Sequence, residues 1–380
     1  MNKSDTSRNA YTLTGRLAKK GYMRWWHSFT GIQPDTGEER VFFIEYFMIN
    51  PALAGDTAIL GQHPYYKKRG IKPSYVMIKA GAFTGSQGAC PKQLHSFYPF
   101  SQLKTAVKPF VFQVGPNFYS ESRIYGNTVV NYKNSHRRSY MCDEGRMEWD
   151  LEIHKAISGH TGHIADPFFC MMNALDTFWH GEGLQAFYRG RVVLDGVLYQ
   201  VSPESSYGYA DKHWGRRFNS PWLTFASCRL TGSQTGKALK HSALAIDGCC
   251  PRFLCFPLKH KLLLQLTYEG QDYTFRFART VRKRSKWHLK ETGKRFVLQL
   301  VAVNKETIIK ITVNCLKEGM LSLHYESPDG ERFPEPLLGD GSAAGTILIY
   351  QKSKHGKKLI DTLDIRNGFF ECGEIRWKNP

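Results

Sequence analysis

Apolar and polar positions alternate along most of this chain with a period of two, in short stretches. In residues 273–277, Tyr273, Phe275 and Phe277 fall on one side and Thr274 and Arg276 on the other, the pattern of a half-buried strand. Strand-like runs also cover residues 75–80, 109–114, 121–130, 147–154, 223–230, 241–246, 262–268, 296–303 and 307–314. Turn chemistry separates them. Asp195-Gly196 predicts a hairpin across residues 191–201, Glu269-Gly270-Gln271-Asp272 joins two runs, and Ser327-Pro328-Asp329-Gly330 is a further turn. Asn367-Gly368 predicts another hairpin, between residues 358–365 and 369–377. Strands joined in order by short turns make antiparallel sheets, and such sheets close into barrels or sandwiches.

Two stretches depart from alternation. Residues 41–49 are apolar on both faces and predict a strand buried on both sides. Their one polar interruption, Glu45, shares a face with Val41, Phe43, Phe47 and Ile49. A charged group among such neighbours must be paired, protonated or open to a wet cavity, so Glu45 is either an acid candidate or a satisfied structural carboxylate. Asp166-Pro167 can start a short helix whose stripe of Phe168, Met171, Met172, Leu175, Phe178 and Trp179 is expected in a core.

A weak repeat runs through the pattern. Gly21-Tyr22, Trp25 and Thr36-Gly37 lead into residues 41–49, while Gly208-Tyr209, Trp214 and Thr235-Gly236 lead into residues 241–246. With 380 residues available, the chain divides into two units of ordinary size, residues 1–188 and 189–380, meeting near residues 185–195. The expected fold class is all-β, with two similar antiparallel β units, each a barrel or a sandwich.

Composition narrows the function classes. Hydrophobic residues make up 42% and charged residues 22%, as in a folded globular protein. The formal net charge of +19 attracts nucleic acid or an anionic membrane surface. A specific nucleic-acid site gathers basic and aromatic residues in one groove, whereas here they are scattered, and the densest run, residues 279–290, reads as a solvated loop. The expectation is no specific nucleic acid, with peripheral contact to an anionic membrane. No apolar run approaches the roughly 20 residues of a membrane-spanning helix. Nine cysteines, an odd number, fit reduced thiols in a cytoplasm. His154, His160 and His163 lack a nearby Cys or carboxylate, and Cys249-Cys250 with Cys255 lacks a second pair, so no metal is expected. Walker, Rossmann and Gly-x-Ser-x-Gly motifs are missing, and no cofactor is expected either.

Most of the chemistry is concentrated in Tyr207-Gly208-Tyr209-Ala210-Asp211-Lys212-His213-Trp214-Gly215. As a strand it sets Tyr209, Asp211 and His213 on one face and Ala210, Lys212 and Trp214 on the other. A phenol, a carboxylate and an imidazole on one face suit proton transfer. The alternative is a strand-end turn whose Asp and His cap backbone groups.

This segment, followed by Pro221-Trp222 and preceded by Gly21-Tyr22-Met23-Arg24-Trp25-Trp26 and residues 190–196, resembles the tocopherol cyclase-like family. That family is grouped with carotenoid 1,2-hydratases and AttH-like proteins, whose motif carries Asn where this chain has His213. The resemblance implies two lipocalin-like barrels and cofactor-free cyclisation or hydration of an isoprenoid-type double bond in an apolar cavity. It places the family's Tyr and acid on Tyr209 and Asp211, and makes Trp179-His180 the nearest equivalent of an upstream Trp and His. Trp25, Trp26, Tyr209, Trp214 and Trp222 are the candidate walls, since aromatic faces stabilise a carbocation by cation–π attraction. Asp211 as proton donor needs a pKa raised by burial, unless a protonated His213 pulls it down. The rival reading is a barrel that binds a hydrophobic small molecule without turnover, with Asp211 ionised against Lys212 or an Arg.

Overall fold

The computed structural model describes residues 9–135, 139–159, 177–217, 222–250, 252–253, 256–257, 261–277, 285–331 and 337–373. The alternating runs form strands throughout, and the fold is all-β, with two large antiparallel barrel-forming sheets. The first sheet comprises β1 (Tyr22–Ile32), β2 (Glu39–Ile49), β3 (Tyr75–Ala82), β4 (Lys92–Tyr98), β5 (Leu103–Val107) and β6 (Phe110–Val114). It continues with β7 (Asn117–Ser120), β8 (Arg123–Val130), β9 (Gly145–Ile157), β10 (Thr177–Leu194), β11 (Val197–Val201) and β12 (Gly208–Gly215). Its order is β4-β3-β2-β1-β11-β10-β9-β8-β7-β6-β5, with β12 wedged between β1 and β10, and it curls until β4 lies against β8.

The second sheet begins with β13 (Trp222–Ser227), β14 (Leu230–Gly232) and β15 (Ala243–Cys249). A small separate ladder, β16 (Arg252–Phe253) with β17 (Phe256–Pro257), precedes β18 (Lys261–Tyr268), β19 (Gln271–Phe277), β20 (Lys286–Glu291) and β21 (Arg295–Val303). Then come β22 (Thr307–Leu316), β23 (Leu321–Leu323), β24 (Leu337–Ser353) and β25 (Gly356–Gly373). Its order is β19-β18-β15-β13-β25-β24-β22-β21-β20.

Each sheet wraps its own apolar core, one around Trp25, Tyr46 and Leu151, the other around Phe225, Leu264 and Ile311. A third buried cluster lies between the sheets and joins Trp26, Phe43, Phe47 and Met77 to Trp222, Leu263, Tyr325 and Phe369. β1, β2 and β3 are therefore buried on both faces, inward on the first core and outward on the second sheet. This double burial is why residues 41–49 read as a continuous apolar run.

The Asn367-Gly368 hairpin does not form. β25 runs straight through it, and Asn367 instead adopts a left-handed φ of 46° beside register shifts against β24. Asn and Gly tolerate that conformation in a bulge as readily as in a turn. Past this irregularity β25 keeps β24 on one edge, while its other edge passes from β14, at residues 363–365, to β13, at residues 369–373. The sheets hand over between Gly215 and Trp222, so residue 188 falls inside β10 and the 207–215 segment belongs to the first sheet. The two Gly-Tyr segments of the repeat are neighbours in that sheet, with Tyr22 opposite Gly215 and Ser28 opposite Tyr209. The proposed 166–179 helix stripe lies outside the described residues up to position 176, and Phe178 and Trp179 stand in β10.

Candidate active site between the sheets

Register places the chemistry. Across the first sheet, Gly181, Asp211, Trp26, Glu45 and Lys79 face one another in a row over β10, β12, β1, β2 and β3. Two positions along, Trp179, His213, Arg24 and Phe47 make the next row on the same face. The second sheet answers with Glu371, Thr224 and Asp247 over β25, β13 and β15. The two faces meet, and the side chains of Arg24, Glu45, Lys79, Asp211, His213, Asp247 and Glu371 are all buried in the contact.

Asp211 Oδ2 accepts from Tyr209 Oη (2.7 Å) and Trp179 Nε1 (3.1 Å), and His213 Nε2 lies 3.2 Å away. Burial pushes this carboxyl up, but His213, Arg24 and the Tyr209 hydrogen bond outweigh it and hold Asp211 below its ordinary pKa. Asp211 is thus the ionised member of the site. A second carboxyl, not singled out in the sequence, stands across the sheet contact. Asp247 accepts from Thr224 Oγ1 (3.3 Å) on Oδ1, and His213 Nε2 stands 3.8 Å from the same oxygen. Burial pushes Asp247 up to about 7, against the opposing pull of His213 and with the repulsion of Asp211. One imidazole therefore sits between a carboxylate kept charged and a carboxyl that holds its proton near neutrality.

Arg24 anchors the other side. Its guanidinium donates to both oxygens of Glu371 (3.2 Å each) and its Nε lies 3.5 Å from Glu45. Trp26 and Trp222 face it with ring centres 5.0 and 5.5 Å from Cζ, and Trp222 Nε1 donates to Glu371 (3.0 Å). Glu45 is the paired alternative of the two weighed for it: Tyr325 Oη donates to it (2.9 Å), and Lys79 Nζ is 3.4 Å away. Burial pushes Lys79 down to about 8, with Glu45 opposing.

Of the candidate walls, Trp26, Tyr209 and Trp222 are in the cluster, and so is Trp179. Trp26 stacks between Phe43 (5.1 Å) and Phe369 (5.0 Å), and Trp222 lies 4.4 Å from the His213 ring. Trp25, Trp214 and His180 are not, because strand alternation turns them to the first barrel. Trp25 packs on Phe110 (5.5 Å), and Trp214 stacks on Phe178 (5.4 Å). His180 stands opposite Lys212, whose ammonium faces Trp25 and Trp214 and bonds the Ala10 carbonyl. Burial pushes Lys212 down to about 7, with Glu182 opposing.

Asp247, Arg24 and Glu371 carried the same signal as Glu45, a lone charge in an apolar strand: Ala-Leu-Ala-Ile-Asp247, Tyr-Met-Arg24-Trp-Trp and Phe-Phe-Glu371-Cys. Applied evenly, that rule finds all of them. Among the described residues no group of three or more His, Cys, Asp or Glu has metal-binding geometry; His154 stacks on Phe187 (6.4 Å), and His160, His163 and Cys255 lie outside those residues. A surface groove of about 710 Å³, bordered by Arg123, Tyr125 and Asp150, lies on the outside of the first barrel, apart from the buried cluster.

No protein-family model matches the chain, and no curated protein matches it in sequence. Among solved structures the chain is similar to kievitone hydratase from Nectria haematococca, with 14% identity over 95% of both chains and a TM-score of 0.46. It is also similar to CghA bound to Sch210972, with 10% identity over 93% of this chain and 88% of that one and a TM-score of 0.44. A Nitrosomonas europaea protein described as an AttH matches with 10% identity over 91% and 92% of the two chains and a TM-score of 0.45. Likeness at this level carries neither residues nor a reaction to this chain. No helix among the described residues is long and apolar enough to cross a membrane.

Proposed function

We propose that the inter-sheet cluster is the active site of an acid–base enzyme that protonates a carbon–carbon double bond of an apolar, isoprenoid-like substrate, ending in hydration or ring closure. The observation that carries this reading is the pair of carboxyl groups of opposite protonation on one imidazole, Asp247 near 7 and Asp211 held ionised. Environments that push two carboxyl pKa values apart are how one site supplies both an acid and a charged partner near neutral pH. Asp247 gives its proton to the alkene carbon. The cation formed is stabilised by the Asp211 charge. Water, or a hydroxyl of the substrate, adds to the cation, and its proton returns through His213 to Asp247. Each step uses side chains of this chain alone. The resemblance of residues 207–215 to the tocopherol cyclase-like motif points to the same chemistry.

A second reading, binding of an apolar molecule without turnover, is favoured by one observation: Asp211, the acid of the motif, is ionised. Incubation with prenylated hydroquinones in D₂O separates the two. The proposed enzyme yields a product with one new carbon-bound deuterium, and Asp247→Asn slows its formation by about 10²–10⁴-fold. Binding of the same hydroquinones, followed by tryptophan fluorescence, should change by no more than about 3-fold, because Asn keeps the shape and loses only the proton. Unchanged turnover in Asp247→Asn removes the acid assignment. Binding with no carbon-bound deuterium in the parent protein establishes the second reading.

A further inference from the structure

The outer face of the second barrel carries a feature that the buried cluster does not use. On β24, Ile347 and Ile349 point into the core, so Leu348 and Tyr350 point out. Register sets Lys310 opposite Leu348, Ile308 opposite Tyr350, Leu359 opposite Tyr350, and Lys357 opposite Lys352. The outward face at this end is therefore a patch of Ile308, Leu348, Tyr350 and Leu359 interleaved with Lys310, Lys352 and Lys357. The turn of the hairpin adds Lys354, and Lys358 follows it. The register shifts between Ile349 and Tyr350, which leaves Ile360 as an extra residue on β25; Leu359 and Ile360 are 43% and 46% exposed side by side. Such a bulge re-aims a side chain that strict alternation would turn inward.

The charges are not balanced on this face. The Lys357 and Lys310 ammonium groups lie 4.6 and 5.6 Å from the centre of one ring, Tyr350. Two like charges over one aromatic ring call for an anion from outside. Of the nearby acids, Asp361 faces inward and accepts from Tyr268 (2.8 Å), Asp364 accepts from Ser233 (2.8 Å), and Glu306 stands in the next turn, where the Asn304 carbonyl accepts from the Lys352 ammonium (3.0 Å). Apolar side chains that project among lysines, on an exposed hairpin tip, match an anionic bilayer surface, where ammonium groups meet phosphates and aliphatic groups enter the headgroup layer.

We infer that the β24–β25 hairpin tip and the adjoining outer face of β22 are a docking surface for anionic lipid bilayers. Leu359 and Ile360 insert, and Lys310, Lys352, Lys354, Lys357 and Lys358 hold the headgroups. The surface is independent of the reaction proposed above and gives an apolar substrate a route from membrane to protein.

The test is sedimentation of the full chain with vesicles of phosphatidylcholine alone or mixed with phosphatidylglycerol. Binding is expected only to the mixed vesicles and should weaken as salt rises. Lys352→Glu with Lys357→Glu should lower the affinity by at least about 25-fold, about 5-fold for each lysine lost. Leu359→Ser with Ile360→Ser should lower it while leaving the salt dependence in place. Lys67→Glu with Lys68→Glu, the same change of net charge on the first barrel, should leave it within about 2-fold. All these positions are on the surface, and unchanged thermal unfolding of each variant would show that it is folded. The inference is overturned by equal binding to both vesicle types, by equal loss in the two charge-reversal variants, or by binding to duplex DNA but not to vesicles.

Discussion

Replacing Asp247 with Asn tests the site without any substrate. In the folded protein Asp247 titrates at about 7, against an ordinary value of 3.8. The native state therefore binds this proton more tightly than the unfolded chain does, and stability from Asp247 is complete below about pH 4 and is lost as the pH rises to about 7. A shift of about three units at 1.36 kcal/mol each means that native Asp247 costs about 4 kcal/mol once ionised. Asn carries no such charge and keeps an amide that Thr224 can meet. The variant should thus be more stable than the parent at neutral and higher pH. Its advantage should grow by about 2 kcal/mol between about pH 5 and about pH 7, and by less than about 0.5 kcal/mol above that. Urea unfolding of both proteins across this range measures the gap. A gap that stays constant with pH, or a variant less stable than the parent above pH 7, would refute a protonated Asp247. Gain of stability with loss of turnover in one substitution is the mark of a group strained for function.

Two further outcomes follow from the buried charges. Arg24→Met strands Glu371 without its cation, leaves Glu45 with Lys79 alone, and should cost about 3–5 kcal/mol in urea unfolding, where a loss under about 1 kcal/mol would show the pairs to be dispensable. Lys212→Met has the opposite sign: burial lowers the lysine to about 7, so the native state is penalised below that pH and progressively relieved above it. The variant's stability relative to the parent should therefore be greatest below about pH 7 and fall by up to about 1.4 kcal/mol per pH unit above it, and the absence of that trend would place Lys212 in a wetter setting.

The strands and the two faces of residues 207–215 were legible because alternation is a local signal. Tyr209, Asp211 and His213 do share one face, and Glu45 does stand among Phe43, Phe47 and Ile49 on a doubly buried strand. What local pattern could not supply was the partner across the sheet contact. Asp211 is held below its ordinary pKa because His213 and Arg24 surround it, and Asp247 is pushed up to about 7 by burial away from water, with Asp211 adding to the push; each depends on residues far apart in the chain. The same limit explains Trp25 and Trp214. Both are aromatic and near the motif in register, but the pleat sends them to the first core. Asn367-Gly368 was misleading for a related reason, since a left-handed Asn and a Gly serve a bulge or a turn equally, and only pairing with β24 and β13 decides between them.

The bond between Arg24 and Glu371 spans 347 residues of sequence. A ribosome adding about 5–20 residues each second delivers the arginine and then needs roughly 17 to 70 seconds to deliver its carboxylate. Until β13 and the strands after it follow, the outward face of β1 to β3, with Arg24, Trp26, Phe43 and Phe47, has no second sheet to cover it. The newborn first sheet is therefore a sticky half-protein until the second sheet assembles on it, and the carboxylate that pairs Arg24 arrives only with β25, the last of the described strands.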